Sequence, residues 1–185
     1  MPLPKIDLKV LHFPDHRLRM VSKAVDDTDY NVRQLVDAMI ETMFKLEGAG
    51  LSAIQVGAPL RLFVIDGRFI SAGSKPLTFI NPEILERSVE TDVNGEGCLS
   101  FVGVTVPVKR SKSVKVRAWN RDGKMFEITV AGYGARAIQH EYEHLDGKLL
   151  IDHLPPISRD IIKRKLLKKA RDDERAREAK KRRYS

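Results

Sequence analysis

The strongest constraint on this chain lies in residues 139–147, which read Gln-His-Glu-Tyr-Glu-His-Leu-Asp-Gly. Side chains four residues apart share one face of an α-helix, so His140 and His144 can bind one metal ion between them. Glu141 follows the first histidine and can reach a water molecule at the open position of that ion. This spacing is typical of hydrolytic metal sites. On this segment alone, two surface histidines on an acidic helix remain an alternative.

Cys98, the only cysteine of the chain, offers a third metal ligand. A lone cysteine is often a buried and inert residue. Here it lies in Glu96-Gly97-Cys98-Leu99-Ser100, beside a carboxylate and a glycine rather than in a hydrophobic run. Catalytic metal sites commonly use three protein ligands and leave one position for water. We therefore expect Cys98, as a thiolate, to complete a Cys/His/His site suited to iron, zinc, nickel or cobalt.

Residues 48–57 form a third notable pattern, Gly-Ala-Gly-Leu-Ser-Ala-Ile-Gln-Val-Gly. Glycines allow the backbone to approach a ligand closely or to adopt a positive φ. No Gly-Lys-Ser/Thr follows, so the stretch is not a nucleotide-binding P-loop. A turn of small residues before a strand explains the pattern equally well. Gln55 is the side chain in this stretch that can donate hydrogen bonds from a carboxamide.

The hydrophobic pattern predicts an α+β fold in which strands surround one metal-binding helix. Helices are expected at about Tyr30–Leu46, ended by Gly48, and at about Tyr133–Asp146, ended by Gly147. Asn81-Pro82 is expected to begin a turn, and residues 120–123 to connect an antiparallel hairpin. Strands are expected at about 61–66, 77–80, 104–108, 112–119 and 125–130.

Pro155-Pro156 marks the predicted boundary between a catalytic domain, residues 1–156, and a helical tail, residues 157–185. A short last strand is expected before it, at Leu149–Leu154. The tail helix is expected to begin near Ser158 and to pack through an apolar stripe on one face. That stripe consists of Ile161, Ile162, Leu166 and Ala170.

The charge is unevenly distributed between these two parts. Residues 1–156 contain 20 Lys and Arg and 20 Asp and Glu, whereas residues 157–185 contain 13 and 5. The whole net charge of +8 therefore lies in the tail, which can bind a polyanion, while the catalytic part need not.

Three sequence features bear on location. No apolar run approaches the roughly 20 residues of a membrane span, and Met1-Pro2-Leu3-Pro4-Lys5 does not resemble the apolar core of a secretory signal. A single cysteine cannot form an internal disulfide, which fits a reducing compartment. We therefore expect a cytoplasmic protein with no membrane partner and no disulfide partner.

Taken together and in this order, three motifs resemble those of peptide deformylase. They are the Gly-x-Gly-Leu-Ser-Ala-x-Gln of residues 48–55, the Glu-Gly-Cys-Leu-Ser of residues 96–100 and the Gln-His-Glu-x-x-His-Leu-x-Gly of residues 139–147. The resemblance extends from about Val10 to Leu154 and is expected to continue into the tail. It implies removal of the formyl group from N-formylmethionine of nascent polypeptides, with release of formate. It also implies antiparallel sheets around the metal helix and Fe²⁺ as the native ion, with Zn²⁺, Ni²⁺ or Co²⁺ as substitutes.

The chemistry of the resemblance assigns a role to each candidate residue. A metal-activated water attacks the formyl carbon, and Glu141 acts as general acid and base. The Gln55 side chain and the Leu99 backbone N–H correspond to the oxyanion donors. The Gly50 backbone corresponds to the contact with the formylated residue, while Ala49, Tyr133 and Ala137 are candidates for the methionine pocket by position.

Glu96 is a hypothetical partner of a ligand histidine, which it would orient while pairing with Arg110. Three positions depart from the family pattern. Ser52 stands where Ala is usual, a small change that we expect to leave the chemistry unaltered. Val102 and Thr105 stand where many relatives have Pro and Arg, which affects how the peptide beyond methionine is bound.

Two other functions are compatible with parts of the sequence. A metallopeptidase would share His-Glu-x-x-His but would usually take its third ligand downstream, so Cys98 argues against it. A basic module that binds nucleic acid or the ribosome would rest on the tail alone and would leave the three motifs unexplained. Within the deformylase hypothesis, the ribosome is the natural partner of the tail, because the substrate emerges there.

Overall fold

The computed structural model describes residues 6–183, so the N-terminal pentapeptide used above lies outside the described part. Its main sheet has five strands, and every neighbouring pair is antiparallel. In their spatial order the strands are β1 (Gly50–Ser52), β2 (Leu62–Ile65), β3 (Leu77–Arg87), β6 (Ser113–Trp119) and β7 (Met125–Ala131). A separate antiparallel pair is formed by β4 (Thr91–Glu96) and β5 (Val106–Ser111). The predicted α+β class is therefore confirmed.

Two helices cover the main sheet, one on each face. They are α1 (Tyr30–Lys45) and α2 (Gly132–Leu145). Successive side chains of a strand point to opposite faces of the sheet. All four residues of β2 are buried, so both faces of the sheet are covered at this strand. Phe63 and Ile65 pack in the cluster that contains α2, whereas Leu62 and Val64 pack in the cluster that contains α1. The sheet is thus a layer between two helices, and α2 lies in the interior.

The ends of both helices follow from local chemistry. The Asp29 side chain accepts from the Val32 N–H at 2.9 Å and caps α1. The turn that ends α1 uses Glu47 at φ 54°, one residue before the predicted Gly48. Gly147 ends α2 at φ 70°, as predicted, and a Cβ there would lie 2.4 Å from the Arg19 carbonyl oxygen. Only glycine fits that position without moving the backbone.

A third cluster lies under the β4–β5 pair and includes Cys98 at its margin. The strand predicted at Leu149–Leu154 is wrong, because residues Leu150–His153 form a 3₁₀ turn. Leu149, Leu150 and Ile151 are all buried, and three consecutive inward side chains do not fit a strand with one buried face. The Asp152 carboxylate holds the turn by accepting from the Leu149 N–H at 2.8 Å.

The turn predicted at Asn81-Pro82 is also wrong, because β3 continues through both residues with a register shift between Ile80 and Glu83. Asn81 adopts φ 49°, a conformation that asparagine tolerates better than most residues. Its side-chain amide donates to the Val25 carbonyl at 2.7 Å and accepts from the Val25 N–H at 2.8 Å. These long-range hydrogen bonds stabilise a bulge where the sequence pattern indicated a break.

The last helix, α3 (Pro156–Arg183), begins two residues before the predicted start. Ile162 and Leu166 pack against the third cluster, as predicted. Ile161 was expected in the same stripe, but it is 62% exposed and does not anchor the helix. Among residues 6–183, no helix combines the length and the apolarity that a bilayer crossing requires.

Candidate metal centre

Three potential metal ligands lie close together, two on α2 and one in the segment after β4. His140 and His144 lie one turn apart on α2 and are buried, and Cys98 lies two residues after β4. One donor atom from each of the three residues lies within 4.8 Å of the other two. The Cys98 Sγ is 3.3 Å from the His144 Nε2. Ligands of one tetrahedral ion are about 3.5 Å apart, so the Cys98–His144 pair already lies close to the spacing that one shared divalent ion requires.

Glu96 fixes the orientation of the first histidine ring. Its Oε2 is 2.9 Å from the His140 Nδ1, which leaves Nε2 as the nitrogen for a metal. Arg110 donates to both Glu96 oxygens at 3.0 Å. Burial alone would raise the pKa of Glu96, but the hydrogen bonds from His140 and Arg110 outweigh burial and hold that pKa far below its usual range. Glu96 is therefore an anion, and the pairing hypothesised from the sequence is present.

Arg136 is a buried member of this network that the sequence analysis missed. Its Nη1 donates to the Glu96 Oε1 at 2.7 Å and to the Val108 carbonyl at 2.9 Å, and its Nη2 donates to the Asp92 carboxylate. Glu96 thus accepts from two guanidinium groups as well as from a ring nitrogen. The available signal was its position four residues before His140, which places both residues on one face of α2.

Glu141 lies next to the donor set and is enclosed. Its Oε2 accepts from the Ser52 hydroxyl at 2.6 Å. A Cβ on Gly50 would lie 2.8 Å from the Glu141 Cγ, so only glycine leaves room for the glutamate side chain there. Burial is the largest influence on the Glu141 carboxyl and raises its pKa above the ordinary value. A carboxylate with a raised pKa is suited to accept and return a proton.

Gln55 reaches the same region from the 3₁₀ turn after β1, Ala53–Val56. Its Nε2 donates to the Ser100 hydroxyl at 3.1 Å and lies 3.5 Å from the Cys98 Sγ. Its Oε1 accepts from the Ser52 N–H at 2.8 Å, which fixes which end of the carboxamide carries the donors. Leu99, the other predicted oxyanion donor, directly follows Cys98 in the chain.

A cavity of about 410 Å³ lies beside these groups. The four residues predicted to contact substrate, Ala49, Gly50, Tyr133 and Ala137, all line it, together with Cys98, Leu99, His140 and Glu141. Its lining also contains Glu96, Arg136 and Thr105, whereas Gln55, Arg110 and His144 are not among the described lining residues. Val102 is 56% exposed and is not part of the lining either. Most predicted site residues therefore meet around one cavity.

An HExxH helix, a cysteine and a buried acid beside a substrate-sized cavity define the class of metal-dependent hydrolases. The family model "Polypeptide deformylase" matches residues 7–160. A peptide deformylase of Bartonella tribocorum is 47% identical over 161 residues, which cover 86% of this chain and 90% of that protein. Peptide deformylase 1 of Pseudomonas syringae pv. tomato is also 47% identical over 161 residues, covering 87% and 95%.

Structural comparison agrees with the sequence comparison. The crystal structure of a peptide deformylase from Legionella pneumophila has a TM-score of 0.83 and 39% identity, covering 92% of this chain and 99% of that one. The chain belongs to the peptide deformylase family. It is a metal-dependent hydrolase that removes the formyl group from N-formylmethionine peptides. Family membership decides against the metallopeptidase and binding-module alternatives.

Proposed function

We propose that Cys98, His140 and His144 hold the metal ion on which deformylation depends, and that Fe²⁺ is the native ion. The convergence of their three donor atoms within 4.8 Å carries this assignment. When bound, the ion polarises the formyl carbonyl and lowers the pKa of water. Thiolate and imidazole donors suit iron, zinc, nickel and cobalt, so the last three are expected to substitute for iron.

Glu141 is the proton carrier of the proposed mechanism. Its Oε2 is engaged by Ser52, which leaves Oε1 to take a proton from the attacking water and to deliver it to the leaving nitrogen. Its raised pKa favours both transfers, since the carboxyl must be protonated and deprotonated in one cycle. Because Glu141 is not a ligand in this assignment, it can be changed without removing the metal.

Gln55 and the Leu99 backbone N–H stabilise the developing oxyanion in this proposal. The Gln55 carboxamide is buried, and its Nε2 lies 3.5 Å from the Sγ of Cys98, one of the residues that would hold the ion. Its orientation is set before substrate binds, because Ser52 and Ser100 hold its two ends. A fixed donor of this kind is worth about 2.7–4 kcal/mol of barrier.

The formylated methionine occupies the cavity beside α2. Ala49, Tyr133 and Ala137 form its side-chain pocket, and the Gly50 backbone contacts its main chain; all four line the cavity. Glu96 and Arg110 act behind this pocket by holding the His140 ring. Thr105 also lines the cavity, so we propose that it contributes to how the peptide beyond methionine is bound.

The decisive experiment measures metal content and two activities on protein purified without oxygen. Stoichiometric metal, formate release from a short formyl-methionyl peptide and no cleavage of an internal peptide bond are expected. A metal-loaded chain that cleaved internal peptide bonds but left the formyl group intact would contradict the proposal. The iron form is expected to lose activity in air, because ferrous iron and the thiolate both oxidise, and activity is expected to be better kept with nickel or cobalt.

Residues 1–156 act as the catalytic domain in this proposal, and residues 157–185 act as a basic tail that binds the ribosome in the cytoplasm. The location of the whole net charge of +8 in residues 157–185 supports the second part. Phosphate-rich surfaces attract such a segment, and the attraction weakens with salt.

A further inference from the structure

Ser52 contacts Glu141, the proposed proton carrier, through its side chain. Its side chain is completely buried in β1, and its Oγ lies 2.6 Å from the Glu141 Oε2 and 3.0 Å from the Glu141 carbonyl oxygen. A hydroxyl has one proton to donate, and a carboxylate is the stronger acceptor of the two. The short distance to Oε2 therefore indicates a charge-assisted hydrogen bond to the glutamate side chain.

The position of this hydroxyl is set by elements outside α2. Ser52 pairs with Phe63 in the β1–β2 ladder, and its N–H donates to the Gln55 Oε1 at 2.8 Å. The backbone contact would persist with any residue at position 52, except proline, which has no N–H. Only the side chain contacts Glu141, so replacing the side chain tests one function without removing the other.

Gly50 restricts the orientation of the Glu141 side chain from another direction. A Cβ on Gly50 would lie 2.8 Å from the Glu141 Cγ and 2.9 Å from its Oε1. The glutamate side chain therefore lies directly against the Gly50 backbone, while its other oxygen is bound by Ser52. Few orientations of the carboxylate satisfy both contacts.

We propose that Ser52 is a positioning residue whose hydroxyl holds the Glu141 Oε2 and keeps Oε1 directed to the reacting water. The inference rests on the proposed role of Glu141 as the proton carrier. Loss of a hydrogen bond to a charged group corresponds to about a 10- to 100-fold change. Ser52→Ala is expected to lower kcat by that factor with KM and metal content unchanged, because the substrate cavity and the ligands remain.

The test compares kcat, KM, metal content and Tm of the zinc-loaded enzyme with those of three variants. Ser52→Ala removes the hydroxyl, and Ser52→Cys keeps a group of similar size that donates weakly. Thr42→Val is the matched control, because it removes a buried hydroxyl of α1 that donates to the Ala38 carbonyl, away from the site. Both Ser52 variants are expected to have a lower kcat than the wild type, whereas the kcat of the control variant is expected to be unchanged.

Glu141→Gln, alone and combined with Ser52→Ala, separates this inference from the proposed function. Single-turnover rates are expected to fall steeply in Glu141→Gln, and the added Ser52 change is expected to have no further effect. Wild-type activity in Glu141→Gln would overturn the proposed role of Glu141 and, with it, the role of Ser52. An unchanged kcat in both Ser52 variants, or the same loss in the presence and absence of Glu141, would overturn the Ser52 inference alone.

Discussion

The helices α2 and α3 carry their charged residues in opposite ways. Ten of the fourteen residues of α2 are buried, and they include Arg136, His140 and Glu141. No residue of α3 whose burial the structure describes is buried, and Ile162 and Leu166 are its partly buried apolar contacts with the third cluster. The charged groups of α2 lie mostly inside the protein, whereas most of the charged groups described on α3 are exposed to water.

This difference in the burial of charged residues determines what each helix can do. A buried charge is destabilising unless it is paired and hydrogen-bonded, so every charged group of the α2 face needs a partner in a defined position. Glu96 and Ser52 supply such partners for His140 and Glu141. These contacts hold both side chains in defined orientations. Solvated charges on α3 have no such requirement and can exchange water for an anionic partner.

The largest expected effect concerns the proposed ligands on and beside α2. Replacing Cys98, His140 or His144 with Ala is expected to remove the metal and nearly all formate release, because two ligands rarely retain a catalytic ion. Elemental analysis and activity check this on the purified variants. The exposed His16 is the control, and His16→Ala should keep both. Stoichiometric metal in Cys98→Ala would disprove the role of the cysteine.

Glu141→Gln separates metal binding from catalysis within the same helix. The metal is expected to stay, since Glu141 is not a proposed ligand, while turnover falls by at least about 10²–10⁴-fold. Metal content and the rate of formate release are measured on the same sample. A variant that kept near wild-type turnover would show that the proton carrier lies elsewhere.

Arg136→Leu tests whether the buried charges of α2 support the metal. The change leaves Glu96 and Asp92 without one of their partners and should loosen the hold of Glu96 on His140. Zinc affinity is expected to fall about 10- to 100-fold, measured by competition with a chelator. Arg121→Leu is the control, because Arg121 pairs with Asp37 at the surface. Equal affinity in both variants would contradict a supporting role for Arg136.

Deleting Arg171–Ser185 tests whether the exposed charges of α3 bind the ribosome. Turnover of a short formyl peptide is expected to stay nearly unchanged, because Ile162 and Leu166 remain in place. Co-sedimentation with ribosomes should weaken, and its dependence on salt should become flatter as phosphate contacts are lost. Equal co-sedimentation of both proteins across a salt series would leave the tail as a solvated helix without this partner.

The smallest expected effect concerns Asp152, in the turn that connects the two helices. Burial would raise the pKa of its carboxyl, but hydrogen bonds from Arg19 and the Leu149 N–H lower it below the ordinary 3.8. A lowered pKa in the folded state means that the ionised carboxylate stabilises the fold above pH 3.8. That contribution is lost as the pH falls from 3.8 towards the lower folded value.

Asp152→Asn is therefore expected to be modestly less stable than the wild type near pH 6. The difference in free energy of unfolding should shrink below pH 3.8, and urea titrations at several pH values measure it. A difference that stayed constant through this range would mean that the Arg19 pair contributes through packing rather than charge.

Sequence alone determined the parts of the site that depend on spacing along one element. The interval between His140 and His144 follows from the helical repeat, and the end of α2 follows from Gly147. Cys98 could be predicted as the third proposed ligand because its neighbours were unusual for a buried cysteine. The family resemblance then suggested the oxyanion roles that we propose for Gln55 and Leu99.

Tertiary structure alone decided the contacts that join distant segments. From the sequence alone, Arg136 resembles an ordinary surface arginine. In the folded protein it contacts Glu96, which lies forty residues earlier in the chain. From the sequence alone, Ser52 resembles a neutral replacement for alanine. In the folded protein its hydroxyl contacts Glu141, which lies 89 residues later in the chain. The bulge at Asn81 likewise depends on Val25. Periodicity describes which face of an element a residue occupies, whereas the free energy of a buried polar group depends on the partner that folding brings to it.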